Sequence, residues 1–224
     1  MPYQPSEGLV VDWPTRRVAW QRYHHDIRRK VSDTPKRTWN LDLADLPDDE
    51  HGTVVERWCD RWGMYPTPPE DRLTGLLLTG QPGTGKTRMA AIAANHVSDL
   101  GWPAKFISAP DYHAAFLHAQ DLMRKNDHEA LDYYEVLGGY GKWEAWRLMV
   151  LDDLGRERST ATEYSAHLVE ELLRSRYDDD APTIVTTNLT VDEIGDRYGE
   201  RTASLIHELF WIVDMDGVDR RRRR

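Results

Sequence analysis

Cysteine is almost missing from this chain of 224 residues, with Cys59 the single one. No intrachain disulfide and no cysteine-based zinc site can form, and a reducing, cytoplasmic setting is the expectation. Cys59 itself reads as a small buried side chain rather than a reactive thiol. Phenylalanine is also scarce, three residues against nine tryptophans and ten tyrosines, so aromatic core positions should be filled by Trp and Tyr. No apolar run approaches the ~20 residues of a membrane-spanning helix, and the N-terminus lacks the charged-then-apolar layout of a signal peptide. No membrane partner is expected. A basic balance is missing too, since the formal net charge is −9. That excludes an evenly basic surface but not nucleic acid, because the charge is unevenly placed. Arg16, Arg17, Arg22, Arg28, Arg29, Lys30, Lys36 and Arg37 crowd the N-terminus, an acidic stretch from Asp42 to Glu50 follows, and the chain closes on Arg220 to Arg224.

What is present centres on Gly80-Gln81-Pro82-Gly83-Thr84-Gly85-Lys86-Thr87, which reads G-x-x-x-x-G-K-T and follows the apolar run Leu76-Leu77-Leu78. A phosphate-binding loop needs that order: a strand delivers the chain, glycines let backbone N–H groups turn inward, and a helix begins with its positive dipole end facing the anion. Lys86 would reach the β- and γ-phosphates and the Thr87 hydroxyl would ligate Mg²⁺. Met89, Ile92, Ala93, Val97 and Leu100 recur at helical spacing after the loop, and Gly101 sits where a C-terminal cap belongs. A nucleoside triphosphate is the expected ligand.

Taken in order, Met1 to Pro14 lack periodicity and read as an extended arm. Trp20, Tyr23, Ile27 and Val31 then mark a basic amphipathic helix. Two readings of it stand: an aromatic stripe packed on the core with its arginines in water, or an element that docks a partner or nucleic acid. Pro35 breaks it, and the acidic stretch reads as a loop anchored by Leu41, Leu43 and Leu46. Val54, Val55, Trp58 and Trp62 indicate a further helix, ended by Gly63 and a proline cluster, with the α/β core starting near Arg72.

Beyond the loop helix, strands are expected at Ala104 to Ser108, Leu148 to Asp153, Thr183 to Asn188 and Phe210 to Val213. Helices are expected at Tyr112 to Lys125, Glu163 to Tyr177 and Glu200 to Leu209. The apolar strand Leu148-Met149-Val150-Leu151 ends in two carboxylates, as a Walker B element requires: Asp152 beside the metal, and Asp153 placed to polarise the attacking water. Asn188 at its strand tip could hold the lytic water or the γ-phosphate, or cap the next helix, a role that Thr190 fits better. Strands alternating with helices imply a mainly parallel five-stranded sheet covered on both faces, with ligand at the carboxyl ends of the strands.

The combination of Gly80 to Thr87, L-M-V-L-D-D-L-G-R-E from Leu148, T-I-V-T-T-N-L-T from Thr183 and G-E-R-T-A-S from Gly199 resembles the AAA+ ATPases of the DnaC helicase-loader and IstB group, over roughly Arg37 to Arg221. The resemblance implies an α/β, ASCE P-loop core without a substantial C-terminal lid, a helical N-terminal extension over 1–37 and an ATPase core with an arginine-rich tail over 38–224. It implies ATP and Mg²⁺ as cofactors, with nucleotide held by Gly80, Pro82, Gly83, Thr84, Gly85, Lys86, Thr87 and Arg88. Thr87 and Asp152 would hold the metal, Asn188 would be sensor 1, and Lys86, Asp153, Asn188 and Arg201 would carry the chemistry. Members usually read G-E-R-x-x-S/D-R, the second arginine serving the neighbouring subunit's ATP; here that position is Leu205. Arg201 is then the nearest trans-acting candidate, its other reading being a surface arginine. The G-x-D-Y-R pattern that carries sensor 2 reads Gly217-Val218-Asp219-Arg220-Arg221, leaving Arg220 or Arg221 for that role.

Three functions follow from the resemblance. The first is an ATP-hydrolysing loader, bacterial or phage, that places a DnaB-type replicative helicase on single-stranded DNA and assembles as a homo-oligomer with ATP between subunits. The second is an IstB-like transposition helper on duplex DNA, and the third an ATP-gated adaptor without hydrolysis. The stretch from Tyr112 to Trp146, with Arg124, Lys125, Lys142 and Arg147 among aromatics, is either a single-strand contact or plain packing.

Overall fold

The computed structural model describes residues 32–64, 75–125, 147–156, 162–178, 181–215 and 217. The helix expected around Trp20 to Val31, the N-terminal arm and the arginines Arg220 to Arg224 lie outside the described residues.

Five strands make one sheet: β1 (Gly75–Thr79), β2 (Ala104–Ser108), β3 (Leu148–Leu154), β4 (Thr183–Thr187) and β5 (Phe210–Asp214). Their order is β2-β3-β4-β1-β5, and every pairing is parallel. The helices are α1 (Glu50–Asp60), α2 (Lys86–Asp99), α3 (Ala109–Arg124), α4 (Thr162–Asp178), α5 (Val191–Tyr198) and α6 (Glu200–Leu209).

Alternation along each strand divides the core in two, because successive side chains point to opposite faces. Leu76, Leu78, Val150 and Ile184 meet Trp58 of α1 and Met89 and Val97 of α2 on one face. Leu77, Met149, Leu151 and Val185 meet Phe116, Leu172, Ile194 and Ile206 of α3 to α6 on the other. Burial on both sides explains why these strands are unbroken apolar runs. Trp58, Trp62 and Trp102 are among the largest fully buried side chains, as the shortage of Phe suggested. Cys59 is buried, and burial pushes its thiol well above the usual range, with Asp60 and Glu56 adding to the effect. It is in no state to act as a nucleophile.

Helix α2 ends as its sequence requires. Gly101 has φ 92°, its N–H donates to Ser98 O (3.0 Å), and the Trp102 N–H donates to Val97 O (3.1 Å). This is a Schellman closure, and Trp102 is buried beside Val97 in the same cluster.

The sheet starts at Gly75, close to the expected Arg72, and residues upstream of it pack on the same core. Helix α1 contributes Val55, Trp58 and Cys59 to the same cluster as the sheet, and the Phe106 N–H of β2 donates to Ser32 O (2.7 Å). The acidic stretch is also more ordered than a loop. It holds a 3₁₀ turn at Leu43–Asp45, and another precedes it at Lys36–Thr38. Several of its acids are caps: the Asp42 side chain accepts from Ala44 N, and that of Asp49 from Gly52 N. Leu43 and Leu46 pack on the core as expected, whereas Leu41 is anchored through its carbonyl. Buried Asn95 of α2 makes that anchor, its Nδ2 donating to Thr38 O (2.7 Å) and Leu41 O (2.9 Å). Among the described residues no helix is long and apolar enough to cross a membrane.

Replacing Asn95 by alanine takes the amide donor from the Thr38 and Leu41 carbonyls, of which the first keeps the Leu41 N–H at 3.1 Å. Asn95→Ala should therefore lose about 1–3 kcal/mol in urea unfolding. A midpoint equal to that of the parent protein would show that this amide does not hold the N-terminal segment down.

Candidate nucleotide-binding site

The phosphate-loop sequence sits at the carboxyl end of β1. Gly80 has φ 126°, and a Cβ there would lie 2.5 Å from Met215 O, so only glycine lets the chain leave the strand. Gly83 and Gly85 also have positive φ, and Gly85 precedes α2 without a side-chain cap. The first amides of α2 are thereby left for an anion. Lys86, buried, folds back over the loop: its Nζ donates to Gly80 O (2.6 Å) and Gln81 O (2.8 Å), with Thr84 Oγ1 at 3.5 Å. Thr84 in turn donates to Gln81 O (3.0 Å). Pro82 is exposed at the outer rim. Arg88 points away to the 3₁₀ turn, its Nη2 3.4 Å from Asp45 Oδ1. As an exposed pair it contributes little to stability.

Asp152, buried at the end of β3, is hydrogen-bonded to Thr87 and accepts from Thr186 Oγ1 at 2.6 Å. The fold thus brings the two expected metal ligands together. A hydroxyl and one carboxylate beside a phosphate cradle suit Mg²⁺, which keeps waters and substrate oxygens in its remaining positions. Burial raises the Asp152 carboxyl above its ordinary range; the Thr186 and Thr87 hydrogen bonds oppose this, Asp153 adds to it, and the Arg37 charge opposes it.

The next residue breaks the strand. Pairing shifts register between Leu151 and Leu154, so β3 bulges against β4, and Asp153 takes φ 59°. Its N–H donates to Thr186 Oγ1 (2.9 Å), while its carboxylate accepts from Arg156 Nη1 (2.7 Å). Gly155 closes the bulge at φ 99°, where a Cβ would press on Leu189 at 2.9 Å.

Asn188 stands exposed at the tip of β4. Its neighbour Leu189 is clamped on both sides, its N–H donating to Thr187 Oγ1 (3.1 Å) and its carbonyl accepting from Thr79 Oγ1 (2.5 Å). The cap of α5 is Thr190, which exchanges hydrogen bonds with Glu193, so Asn188 is not needed for capping. Arg201 lies exposed in the first turn of α6 and makes no hydrogen bond or ion pair among the described residues. Leu205, one turn on, is half-buried. Arg147 is buried, with its guanidinium 5.9 Å from the Trp62 ring centre, which is the packing alternative rather than DNA contact. Lys142, Trp143 and Trp146 lie outside the described residues.

Sequence reasoning passed over Thr186, Arg156 and Arg37. Thr186 had a signal: a hydroxyl near the end of a buried strand needs a partner, and the acid pair of the neighbouring strand supplies one. Arg37 and Arg156 had none, because their positions depend on the 3₁₀ turn and on the bulge.

A five-stranded parallel sheet with a phosphate-loop sequence after β1, an acid pair towards the carboxyl end of β3 and a polar residue after β4 defines the AAA+ fold. No family model matches the chain. The replicative helicase loader DnaC of Escherichia coli K12 is 24% identical over 146 residues, 64% of this chain and 55% of that protein. The chain therefore spans about half the length of the curated relatives it matches. Of solved structures, DnaI aligns with a TM-score of 0.62 at 22% identity, covering 83% of this chain and 93% of that one. The replication initiator DnaA bound to AMPPCP and single-stranded DNA aligns at 0.61 with 16% identity, covering 84% and 53%. The chain is thus similar in sequence to the DnaC helicase loader and shares its fold with the DnaC and DnaI structures.

The Asp152 environment sets a sign for pH dependence. Its folded carboxyl lies above the unfolded value, so stability present at acid pH is lost as pH rises from the ordinary carboxylate range through the folded value. Asp152→Asn should therefore raise the melting temperature at neutral pH, with the gain shrinking as pH falls through the raised folded value and gone below about pH 4. Thermal unfolding at both pH values checks this; a variant less stable than the parent at neutral pH refutes it.

Proposed function

We propose that this protein binds and hydrolyses ATP with Mg²⁺ and acts as a DnaC-like loader that places a DnaB-type replicative helicase on single-stranded DNA. The observation that carries the nucleotide reading is the convergence of Lys86, Thr87 and Asp152 at one end of three adjacent strands. Lys86 leaves the Gly80 and Gln81 carbonyls and turns its charge to the β- and γ-phosphates, while the amides opening α2 take phosphate oxygens. Thr87 and Asp152 hold Mg²⁺, whose charge offsets that of the phosphates. Asp153 accepts a proton from the attacking water and Asn188 orients that water. Arg201, from a neighbouring copy of the chain, meets the charge that develops on the γ-phosphoryl group. Arg220 or Arg221 supplies a further cation.

The loader role in the cytoplasm rests on the homology to DnaC and DnaI, and contact with single strands on the likeness to DnaA. The adaptor reading keeps specific support from the Asp153 carboxylate, which is paired with Arg156 rather than open to a water, and from Leu205 in place of the usual arginine.

Lys86→Ala should weaken ATP binding by at least about tenfold, roughly 1.4 kcal/mol; fluorescent-nucleotide titration giving the parent affinity would count against the site. Arg201→Ala should leave ATP binding intact and slow turnover about tenfold or more in the assembled state. Parent turnover would remove Arg201 from the trans role. The loader role is tested by sizing the protein with a DnaB-type helicase on single-stranded DNA, with and without ATP. A nucleotide-sensitive complex is expected, and no complex together with preference for duplex would overturn it. Nucleotide binding without turnover in that complex would favour the adaptor.

A further inference from the structure

One buried hydroxyl of β4 joins the Asp152 carboxylate to the backbone of Asp153. Thr186 Oγ1 donates to Asp152 Oδ1 at 2.6 Å and accepts from the Asp153 N–H at 2.9 Å. The side chain is buried at the end of β4, two residues before Asn188. A hydroxyl has one hydrogen and two lone pairs, so donating to the carboxylate fixes its rotor and leaves an acceptor for the amide. That amide belongs to the residue at φ 59° where β3 slips register, and without it the ladder in the bulge would leave the N–H unanswered.

We infer that Thr186 is a positioning residue of the nucleotide site: its hydroxyl orients Asp152 towards Thr87 and the metal and, through the Asp153 amide, holds the bulge that breaks the regular strand alternation where the two acids follow one another. The inference rests on the ATP and Mg²⁺ reading above. A regular extended strand points adjacent side chains to opposite faces. The register slip and the positive φ at Asp153 alter that alternation at the point where Asp152 and Asp153 follow one another. Thr186 meets the first residue by its side chain and the second by its backbone, and so couples them. Because Asn188 directly follows β4, displacement of that strand is felt at both acids through the same atom. Neighbouring Thr187 does something different, since its hydroxyl donates to Leu154 O (2.7 Å) and touches no carboxylate.

Valine keeps the shape of threonine and removes the hydroxyl, while serine keeps the hydroxyl and removes the methyl group. In Thr186→Val, nucleotide affinity measured in EDTA should match the parent, whereas the Mg²⁺ concentration for half-maximal tightening of nucleotide binding should rise about tenfold or more. Thr186→Ser should restore the parent Mg²⁺ dependence. A second readout needs neither metal nor turnover: hydrogen exchange at the Asp153 amide of the nucleotide-free protein should quicken about tenfold or more in the valine variant and not in the serine variant. Thr186→Ala supplies the same comparison should the valine variant not fold. Parent-like Mg²⁺ dependence and parent-like exchange in the hydroxyl-free variants would overturn the positioning role. A parent protein that itself binds no nucleotide, with or without Mg²⁺, would instead overturn the reading on which the inference rests.

Discussion

Insertion of β4 between β1 and β3 is the constraint on which the rest of this molecule depends. Leu78 of β1 stands opposite Thr186, and Leu151 of β3 opposite Val185, so the carboxyl ends of the three strands finish side by side. Each end then delivers one component: the glycine loop, the acid pair and Asn188. Parallel pairing demands that the crossovers run over the faces, and those helices bury both sides of the sheet. The apolar content of the strands is thus a consequence of the same topology that assembles the site.

Threonine hydroxyls hold that edge in register where backbone pairing ends. Thr79 reaches from β1 to Leu189, Thr186 from β4 to Asp152, and Thr187 from β4 to Leu154. Each bond leaves a strand for the loop or strand beside it, replacing ladder hydrogen bonds that the diverging chains no longer make. The cost of the bulge at Asp153 is met locally in the same way. The outcome is an active edge of short polar bonds standing on an apolar sheet, with the electrostatic burden concentrated on one buried carboxylate.

The segment ahead of β1 completes the face on which α2 lies. Asn95 takes hold of two carbonyls of that segment, His51 Nε2 lies 2.9 Å from Asp214 O on β5, and the Arg61 guanidinium stacks 5.4 Å from the Trp211 ring centre. These ties carry Arg37 close enough for its charge to favour ionised Asp152. A region that reads as an anchored loop is therefore part of the architecture, with Asp42 capping a short turn and Asp49 the helix α1.

The loop glycines, Lys86 and Thr87, the strand-and-helix alternation, the acid pair and Gly101 as the cap of α2 are read directly from the residues. These are legible because local rules demand them: positive φ needs glycine, a phosphate needs amides and a cation, and burial on both faces needs continuous apolar strands. Helix boundaries near Tyr112 and Glu163 were legible to within a few residues. Only the tertiary structure decided the strand order, the fold-back of Lys86 onto the loop and the pairing of Asp153 with Arg156. It also decided that the Thr186 hydroxyl joins the Asp152 carboxylate to the Asp153 N–H, more than thirty positions away along the chain. Those facts depend on which strands lie side by side and by how many residues one slips past another, and no spacing along a single chain encodes that register.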